Sequence, residues 1–153
     1  MLKQTEMIIK PDESLGFNAR MTHRAFTRAL QARLTKHNIP IGQWYYLRVL
    51  WREDGLTQKA LSDQLGIMGP TTVVALRAME RDGLIKRVRN ESDRRKINIY
   101  LSEKGKALET ELSPYIDDIN LQASDEISEA DIEAFKRVSE KIRLNLEAFE
   151  AAA

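Results

Sequence analysis

The 153-residue sequence contains no cysteine and only two histidines. The lack of cysteine excludes disulfide bonds, thiolate metal sites and cysteine-based redox sensing, and it is consistent with a reducing compartment. Because His23 and His37 are the only imidazoles, we expect no metal centre and no other cofactor. No apolar run approaches the roughly 20 residues that span a bilayer, and the N-terminus lacks a signal-peptide core, so we expect a cytoplasmic protein.

Charge is unevenly distributed along the chain, although the net charge is only +1. Residues 1–56 and 57–101 each contain 9 basic and 5 acidic residues, or +4, whereas residues 102–153 contain 6 and 13, or −7. A basic middle followed by an acidic end favours a polyanion-binding region beside one that avoids the polyanion. Ordinary variation of surface charge is the alternative.

The first predicted helix begins after Ser14. Apolar residues recur on one helical face as far as Asn38, which gives a helix of about 24 residues. The other side of this helix is basic, and helical spacing groups Arg20, His23, Arg24 and Arg28. These residues form either a solvated face or a wall that binds a small acid.

A second helix is expected from Ile41, because Pro40 suits a helix start and apolar residues repeat at intervals of three and four. Its aromatic side chains bring large apolar area, and tyrosine and tryptophan also carry hydrogen-bonding groups that suit a ligand pocket. Trp44, Tyr45 and Arg48 could belong to a pocket or to the core, whereas Trp51 is expected in the core.

The next two helices predict a helix-turn-helix. Thr57 is a suitable N-cap for a helix from Gln58 to Leu65, and a glycine-containing turn leads to a helix that starts with Pro70. One face of this second helix has short polar or methyl-bearing residues followed by arginine, as suits insertion into a major groove of DNA. The predicted contacts are Thr71, Val74, Arg77, Ala78 and Arg81, and we add the neighbouring Thr72.

A β-hairpin is predicted after Gly83, with strands Leu84–Arg89 and Lys96–Leu101. A hairpin that directly follows a recognition helix is a wing. Its polar tip, Asn90–Arg95, can reach the adjacent minor groove, where narrow geometry favours an inserted arginine. A solubilising turn with a local Asp–Arg pair is the alternative.

Two further helices are predicted in the acidic end of the chain. The first follows Ser102 and contains Pro114, which we expect to bend it or to remove a hydrogen bond. Ser128 caps the second, whose apolar stripe is Ile132, Phe135, Val138, Ile142, Leu146 and Phe149. Long apolar stripes at both chain ends favour an intertwined helical dimer, and packing within one chain is the alternative.

These segments together resemble the MarR (multiple antibiotic resistance regulator) family of winged helix-turn-helix transcription factors. The resemblance covers roughly Leu15 to Phe149. Its most specific parts are Gln43-Trp44, Leu61-Ser62, Leu65-Gly66, Glu80–Ile85, Asp93–Arg95 and Leu101–Gly105. It implies a dimeric, mostly helical regulator that binds a near-palindromic operator, usually represses, and is released by a small, often aromatic ligand.

The resemblance makes the helix from Pro70 the recognition helix. It also makes Arg94 and Arg95 the two candidates for the minor groove, with Asp93 orienting one of them. Many family members have an arginine where this chain has Val74. Arg77 is expected to make the guanine contact one turn later, which leaves Val74 and Ala78 to contact thymine methyls.

The family's ligand site lies where the dimerisation helices meet the winged domain. Here that implies a site formed by Arg20, His23, Trp44, Tyr45, Arg48 and Tyr115. Arginine beside aromatic rings suits a planar carboxylate. The Gln-Trp-Tyr and Pro-Thr-Thr sequences are also similar to those of members that regulate aromatic-acid catabolism, so the expected effector is an aromatic acid or its coenzyme A thioester.

The sequence thus predicts a mainly α fold with a small β-hairpin wing, forming one MarR-like domain over residues 1–153. Residues 41–101 would form the DNA-binding lobe, and residues 14–38 with 104–150 the dimerisation lobe. We expect a homodimeric repressor whose half-sites lie roughly 10 bp apart. A winged protein-interaction module without sequence-specific DNA binding is the alternative. An enzyme is not expected, because no nucleophile and base pair, metal spacing or phosphate loop is present.

Overall fold

A computed structural model describes residues 10–153 of the chain. This part of the chain folds into six α-helices and one two-stranded antiparallel sheet. In chain order they are α1 (Leu15–Leu34), α2 (Ile41–Arg52), α3 (Gln58–Leu65), α4 (Gly69–Arg81), β1 (Ile85–Arg89), β2 (Ile97–Leu101), α5 (Glu103–Ala123) and α6 (Glu129–Ala151). The prediction of a mainly α fold with a hairpin is confirmed.

The described chain divides into two compact units. The N-terminal unit ends at Ile116 and contains α1 to β2 with most of α5, and the C-terminal unit runs from Asp117 to Ala153. The sequence prediction divided the chain differently, into a DNA-binding lobe of residues 41–101 and a dimerisation lobe of residues 14–38 and 104–150. That division describes roles in an assembled dimer, and it stays a prediction. No helix within residues 10–153 is long and apolar enough to cross a membrane.

Helix α1 is shorter than predicted because the chain tightens at its end. Ser14 caps the helix by accepting a hydrogen bond from the Phe17 amide at 3.3 Å. After Leu34 the chain forms a short 3₁₀ helix over Thr35–His37, and Asn38 follows in a left-handed conformation with φ of 56°. The predicted helix of about 24 residues is therefore an α-helix of 20 residues followed by a 3₁₀ turn.

Local capping chemistry fixes the bounds of α3 and α6 as predicted. The Thr57 hydroxyl accepts a hydrogen bond from the Ala60 amide at 3.1 Å, and the Ser128 hydroxyl accepts one from the Asp131 amide at the same distance. Gly66 ends α3 in a left-handed conformation that a residue with a β-carbon adopts less readily. Helix α5 continues through Pro114, which has no N–H to donate to the preceding turn.

The core of the N-terminal unit is built around α2, which supplies Tyr46, Leu47 and Leu50. The other large side chains that are almost fully buried come from α1, α3, α4, the α4–β1 turn, β2 and α5. They are Leu34, Leu61, Leu76, Met79, Leu84, Ile99 and Leu112. Burial of each such side chain contributes roughly 1.5–3 kcal/mol relative to exposure, so α2 is the element against which the helix-turn-helix packs.

The hairpin is attached to the connection between α2 and α3. Strands β1 and β2 pair with Ile85 opposite Leu101 and Arg89 opposite Ile97. On its other edge β2 contacts the connection, because the Gly55 amide donates to the Ile99 carbonyl and the Ile99 amide donates to the Leu56 carbonyl, both at 2.8 Å. The connection also forms a single β-bridge with β2, between Thr57 and Asn98.

The first turn of α5 lies directly against the end of α4. The Ser102 hydroxyl donates to the Gly83 carbonyl at 2.6 Å, and the Ser102 amide donates to the Leu84 carbonyl at 2.9 Å. Gly105 is buried there, and its own carbonyl accepts a hydrogen bond of 2.9 Å from the Trp51 indole. A β-carbon added to Gly105 would overlap the Leu84 carbonyl oxygen, so only glycine fits without movement of the backbone.

We therefore expect Gly105→Ala to lower the free energy of unfolding by about 1–3 kcal/mol, the usual cost of overpacking. The matched control is Gly42→Ala in α2, where no atom outside the local helix lies near the added β-carbon. That change should leave stability unchanged or raise it by up to about 1 kcal/mol, because alanine is the better helix former. Urea unfolding of both variants measures the difference, and equal stability would contradict the predicted overlap.

Candidate nucleic-acid interface

The orientation of α4 is set by its buried face. Thr72, Leu76 and Met79 are buried against the rest of the N-terminal unit. The Thr72 hydroxyl shares a buried hydrogen bond of 3.0 Å with the Tyr46 hydroxyl of α2. Because the hydroxyls satisfy each other in the core, α4 is fixed in rotation about its axis as well as in position.

The opposite face of α4 is available for contact. Thr71, Val74, Arg77 and Arg81 are exposed as the sequence predicted, and Val74 is 70% exposed. Ala78 is half-buried at the edge of this face. Thr72 is only 1% exposed and its hydroxyl is held by Tyr46. We therefore remove Thr72 from the predicted DNA contacts and assign it to the core.

The two arginines on this face differ in their surroundings. Arg77 has no hydrogen-bond or ion-pair partner among residues 10–153. Arg81 lies 3.8 Å from the neighbouring Asp82 carboxylate, measured from Nε to Oδ1. An exposed contact of this length is weak. Both guanidinium groups can therefore bind an anionic or acceptor-rich surface without losing a strong internal interaction.

The tip of the hairpin is ordered by its own side chains. The Asn90 side-chain oxygen accepts hydrogen bonds from the Ser92 and Asp93 amides, both at 2.9 Å. Asp93 in turn accepts hydrogen bonds from the Arg95 guanidinium through both carboxylate oxygens, at 3.0 and 3.2 Å. These bonds from Arg95 lower the pKa of the Asp93 carboxyl, so Asp93 is negatively charged at neutral pH.

Arg94 and Arg95 are therefore not equivalent. Arg95 is 90% exposed yet held in one direction by Asp93, whereas the Arg94 side chain has no partner in the described chain. The Arg94 carbonyl accepts a 2.6 Å hydrogen bond from the Arg89 guanidinium, which stiffens the tip. Asp93 was predicted to orient one of the two arginines. In this geometry its carboxylate contacts the side chain of Arg95 and not that of Arg94.

Arg87 of β1 connects the hairpin to both helices of the helix-turn-helix. Its Nε donates to the Gln58 side-chain oxygen of α3 at 3.3 Å, and its backbone amide donates to the Glu80 carboxylate of α4 at 3.0 Å. Its guanidinium lies 3.9 Å from the same carboxylate. The sequence prediction missed this residue. Arg87 lies two positions after the buried Ile85 on the same strand and therefore on the same, inward face, which was a signal of an inward polar contact.

Two of the six residues predicted as a ligand site lie together at one cavity of the described N-terminal unit. Tyr45 and Arg48 line a cavity of about 420 Å³ between α2 and α3, together with Arg52 and Gln64. Trp44 is 2% exposed and packs edge-on against Trp51, with ring centroids 5.4 Å apart, so we assign Trp44 to the core.

The remaining members of the predicted ligand site lie elsewhere in this unit. Tyr115 shares a hydrogen bond of 3.1 Å with the His37 imidazole. Arg20 and His23 are exposed on α1, and His23 lies 3.5 Å from the Thr27 hydroxyl. The cavity between α2 and α3 therefore contains two of the six predicted residues, and it adds Arg52, which the sequence prediction missed.

Comparison with known proteins agrees with this geometry. A profile of the MarR family matches residues 39–97. The chain is 33% identical over 97 residues to the HTH-type transcriptional regulator TtmR of Methylorubrum extorquens (strain PA1), a match that covers 63% of this chain but only 50% of that relative. It is 35% identical over 100 residues to the organic hydroperoxide resistance transcriptional regulator of Bacillus subtilis (strain 168), which covers 65% of this chain and 68% of the relative.

A solved structure extends the likeness to nearly the whole chain. The S. aureus MepR–DNA complex is similar with a TM-score of 0.81 at 27% identity, over 86% of this chain and 98% of the other. The recognition helix and wing described above are thus features of a shared fold. The protein belongs to the MarR family of winged-helix, DNA-binding transcription regulators.

Proposed function

We propose that the protein is a homodimeric repressor of a near-palindromic operator and that a small aromatic acid, or its coenzyme A thioester, releases it. The observation that carries the DNA-binding part is the outward face of α4, where Arg77 is unpaired within the described chain beside exposed Val74 and Thr71. Arginine reads guanine in the major groove, and small methyl-bearing side chains contact thymine. The net charge of +4 over residues 57–101 favours phosphate binding.

We assign the minor-groove contact to Arg95. Asp93 holds this side chain in one direction, which reduces the conformational entropy that Arg95 would lose on insertion. Arg94 then suits a phosphate contact, because its side chain is free to follow the backbone of the DNA. Arg87 keeps the hairpin at a fixed place relative to α4, so both elements can meet one DNA duplex.

Variants of these arginines should separate base reading from general affinity. Arg77→Ala should weaken operator binding by about 1–3 kcal/mol and relax specificity at one base position. Arg94→Ala, which removes the proposed phosphate contact, should weaken binding to all operator variants and reduce the salt slope by about one. Gel-shift titrations at several salt concentrations measure both effects.

A double-variant cycle tests the pairing of Asp93 with Arg95. Asp93→Asn should weaken operator binding in the wild type but have no effect in Arg95→Ala, because the positioned side chain is then absent. Equal effects in both backgrounds would contradict the assignment of Arg95 to the minor groove. A binding affinity that is independent of salt would instead favour the protein-interaction module.

The proposal of a homodimer is supported by apolar side chains that a single chain leaves exposed. In α6 these side chains follow a heptad-like spacing, and Phe149 is 75% exposed. In α1, Leu15 is 71% exposed. Exposed apolar stripes of this kind indicate a partner surface, and a second copy of the chain supplies the same stripes in a symmetric arrangement.

A symmetric dimer should protect two half-sites about one helical turn, or roughly 10 bp, apart. DNase footprinting on the DNA flanking the gene, combined with analytical ultracentrifugation, tests this expectation. Charged substitutions on the α6 stripe, such as Phe149→Glu, should shift the protein toward monomer and abolish the paired footprint. A monomeric wild type with a single unpaired footprint would contradict the proposal.

The proposed effector site is the cavity between α2 and α3. Arg48 and Arg52 are one helical turn apart and can both approach a carboxylate, while Tyr45 offers a ring and a hydroxyl to an aromatic body. The relative from B. subtilis is named for organic hydroperoxide resistance. Because this chain has no cysteine, oxidation of a cysteine thiol is not open to it, which favours a reversible ligand.

Calorimetry with benzoate, hydroxybenzoates and their coenzyme A thioesters tests the effector site. Arg48→Ala should weaken binding of the best ligand about tenfold or more, because a hydrogen bond to a charged group contributes about 1.5–3 kcal/mol. Arg94→Ala on the wing is the matched control and should bind the ligand like the wild type. Equal affinity of wild type and Arg48→Ala would remove this cavity as the effector site.

A further inference from the structure

Two asparagine side chains connect the tip of the wing to the connection between α2 and α3. The Asn98 Nδ2 atom of β2 donates to the Gly55 carbonyl at 2.8 Å, and the Asn98 Oδ1 atom accepts from Asn90 Nδ2 at 3.0 Å. The Asn90 Oδ1 atom accepts from the Asp93 amide at 2.9 Å. Asp93 in turn holds the Arg95 guanidinium through both carboxylate oxygens. We call the bonds that join Gly55 to Asp93 the amide link.

The amide link forms in one orientation of its two side-chain amides. Each amide has an oxygen that only accepts and an NH₂ group that only donates. Because the Gly55 carbonyl only accepts, the donor end of Asn98 faces it and the Asn98 oxygen faces Asn90. The Asn90 oxygen is then left to accept the Asp93 amide. Reversal of either amide would break at least two of these bonds.

The Gly55 end of the amide link is fixed in the N-terminal unit. The Gly55 amide donates to the Ile99 carbonyl at 2.8 Å. The Asp54 Oδ1 atom accepts from the Gly55 amide at 3.0 Å and from the Leu101 amide at 2.8 Å. The side chains of Ile99 and Leu101 are buried in the core. The Gly55 carbonyl is therefore held at a constant place relative to the body of the unit.

The other hydrogen bonds of the tip lie within the hairpin. The Arg89 guanidinium donates to the Arg94 carbonyl, and the Asn90 amide donates to the Lys96 carbonyl at 3.0 Å. In the described part of the chain, no side chain of Asn90–Arg95 bonds to a residue outside the hairpin. The tip therefore depends on Asn98 for its link to the connection between α2 and α3.

We propose that Asn98 is a positioning residue for DNA recognition, which acts through Asn90 and Asp93 on the direction of the Arg95 side chain. This role rests on the proposed minor-groove contact of Arg95. Asp93 fixes Arg95 relative to the tip only, whereas Asn98 fixes the tip relative to the unit that presents Arg77. The amide link thus sets the distance between the two arginine contacts on one duplex.

A double-variant cycle in full-length protein tests this role. Asn98→Val removes both hydrogen bonds of the side chain, and the fold should persist because Asn98 is half-buried and strands favour valine. Asn98→Leu, which is closer in size, is the second variant. Each should weaken binding of the duplex protected in footprinting about threefold to tenfold, because Arg95 then loses more conformational freedom on insertion. In the Arg95→Ala background, neither should weaken binding further.

Base preference separates positioning from a general loss of structure. Exchange of A·T for G·C in the base pairs that the wing covers should weaken binding of the wild type, because an arginine favours the narrow A·T minor groove. Asn98→Val should reduce this preference and leave the preference at the base read by Arg77 unchanged. A variant that only loosened the fold would lose both preferences. Fluorescence anisotropy measures the affinities, and thermal melts check that each variant is folded.

Tyr100→Phe is the matched control on the same strand. It removes a hydroxyl that has no hydrogen-bond partner within residues 10–153, so the variant should bind DNA like the wild type. A loss in this control equal to that in Asn98→Val would overturn the positioning role. Wild-type affinity in Asn98→Val would do the same, as would an equal loss with and without Arg95.

Failure of this role is distinguishable from failure of the proposed function. If Arg95→Ala binds the duplex like the wild type, the minor-groove assignment and the role of Asn98 both fail. If Arg95→Ala weakens binding and the two Asn98 variants do not, only the role of Asn98 fails. The proposed regulatory function and its arginine contacts then stand.

Discussion

The hydrogen bond between Tyr46 and Thr72 is the interaction on which the presentation of α4 depends. Hydrophobic burial of Leu76 and Met79 would keep α4 against the core but would tolerate some rotation, because the hydrophobic effect is not directional. A buried hydroxyl pair is directional, and leaving either hydroxyl unpaired would cost about 1–3 kcal/mol. The outward direction of Thr71, Val74 and Arg77 is thus fixed by a contact inside the core.

The wing is fixed by polar contacts in addition to the burial of Ile85, Ile99 and Leu101. Strand β2 bonds to the connection between α2 and α3, and the Asp54 carboxylate accepts a further hydrogen bond from the Leu101 amide at 2.8 Å. Arg87 adds contacts to α3 and α4. A two-stranded hairpin is marginally stable alone. These bonds therefore make the helix-turn-helix and the wing one structural piece, in which the spacing between Arg77 and Arg95 is set.

Features that depend on neighbouring residues were predictable from the sequence, and contacts between distant residues were not. The bounds of α3 follow from the cap at Thr57 and the glycine at its end, and both are local chemistry. The sequence could not decide between Trp44 and Tyr45, which are adjacent on α2, because a small rotation of the helix exchanges which side chain is buried. The contacts of Arg87 with Gln58 and of Gln43 with Asp82 join residues 29 and 39 positions apart, so they depend on tertiary packing.

The contact between Gly105 and the Leu84 carbonyl also has a mechanical meaning. Hydrogen bonds from Ser102 to Gly83 and from Lys104 to Asp82 lie beside it, so the start of α5 is joined to the end of α4 at this point. Close-packed interiors have low compressibility and transmit strain. A displacement of the first turn of α5 would therefore also displace the last turn of the recognition helix.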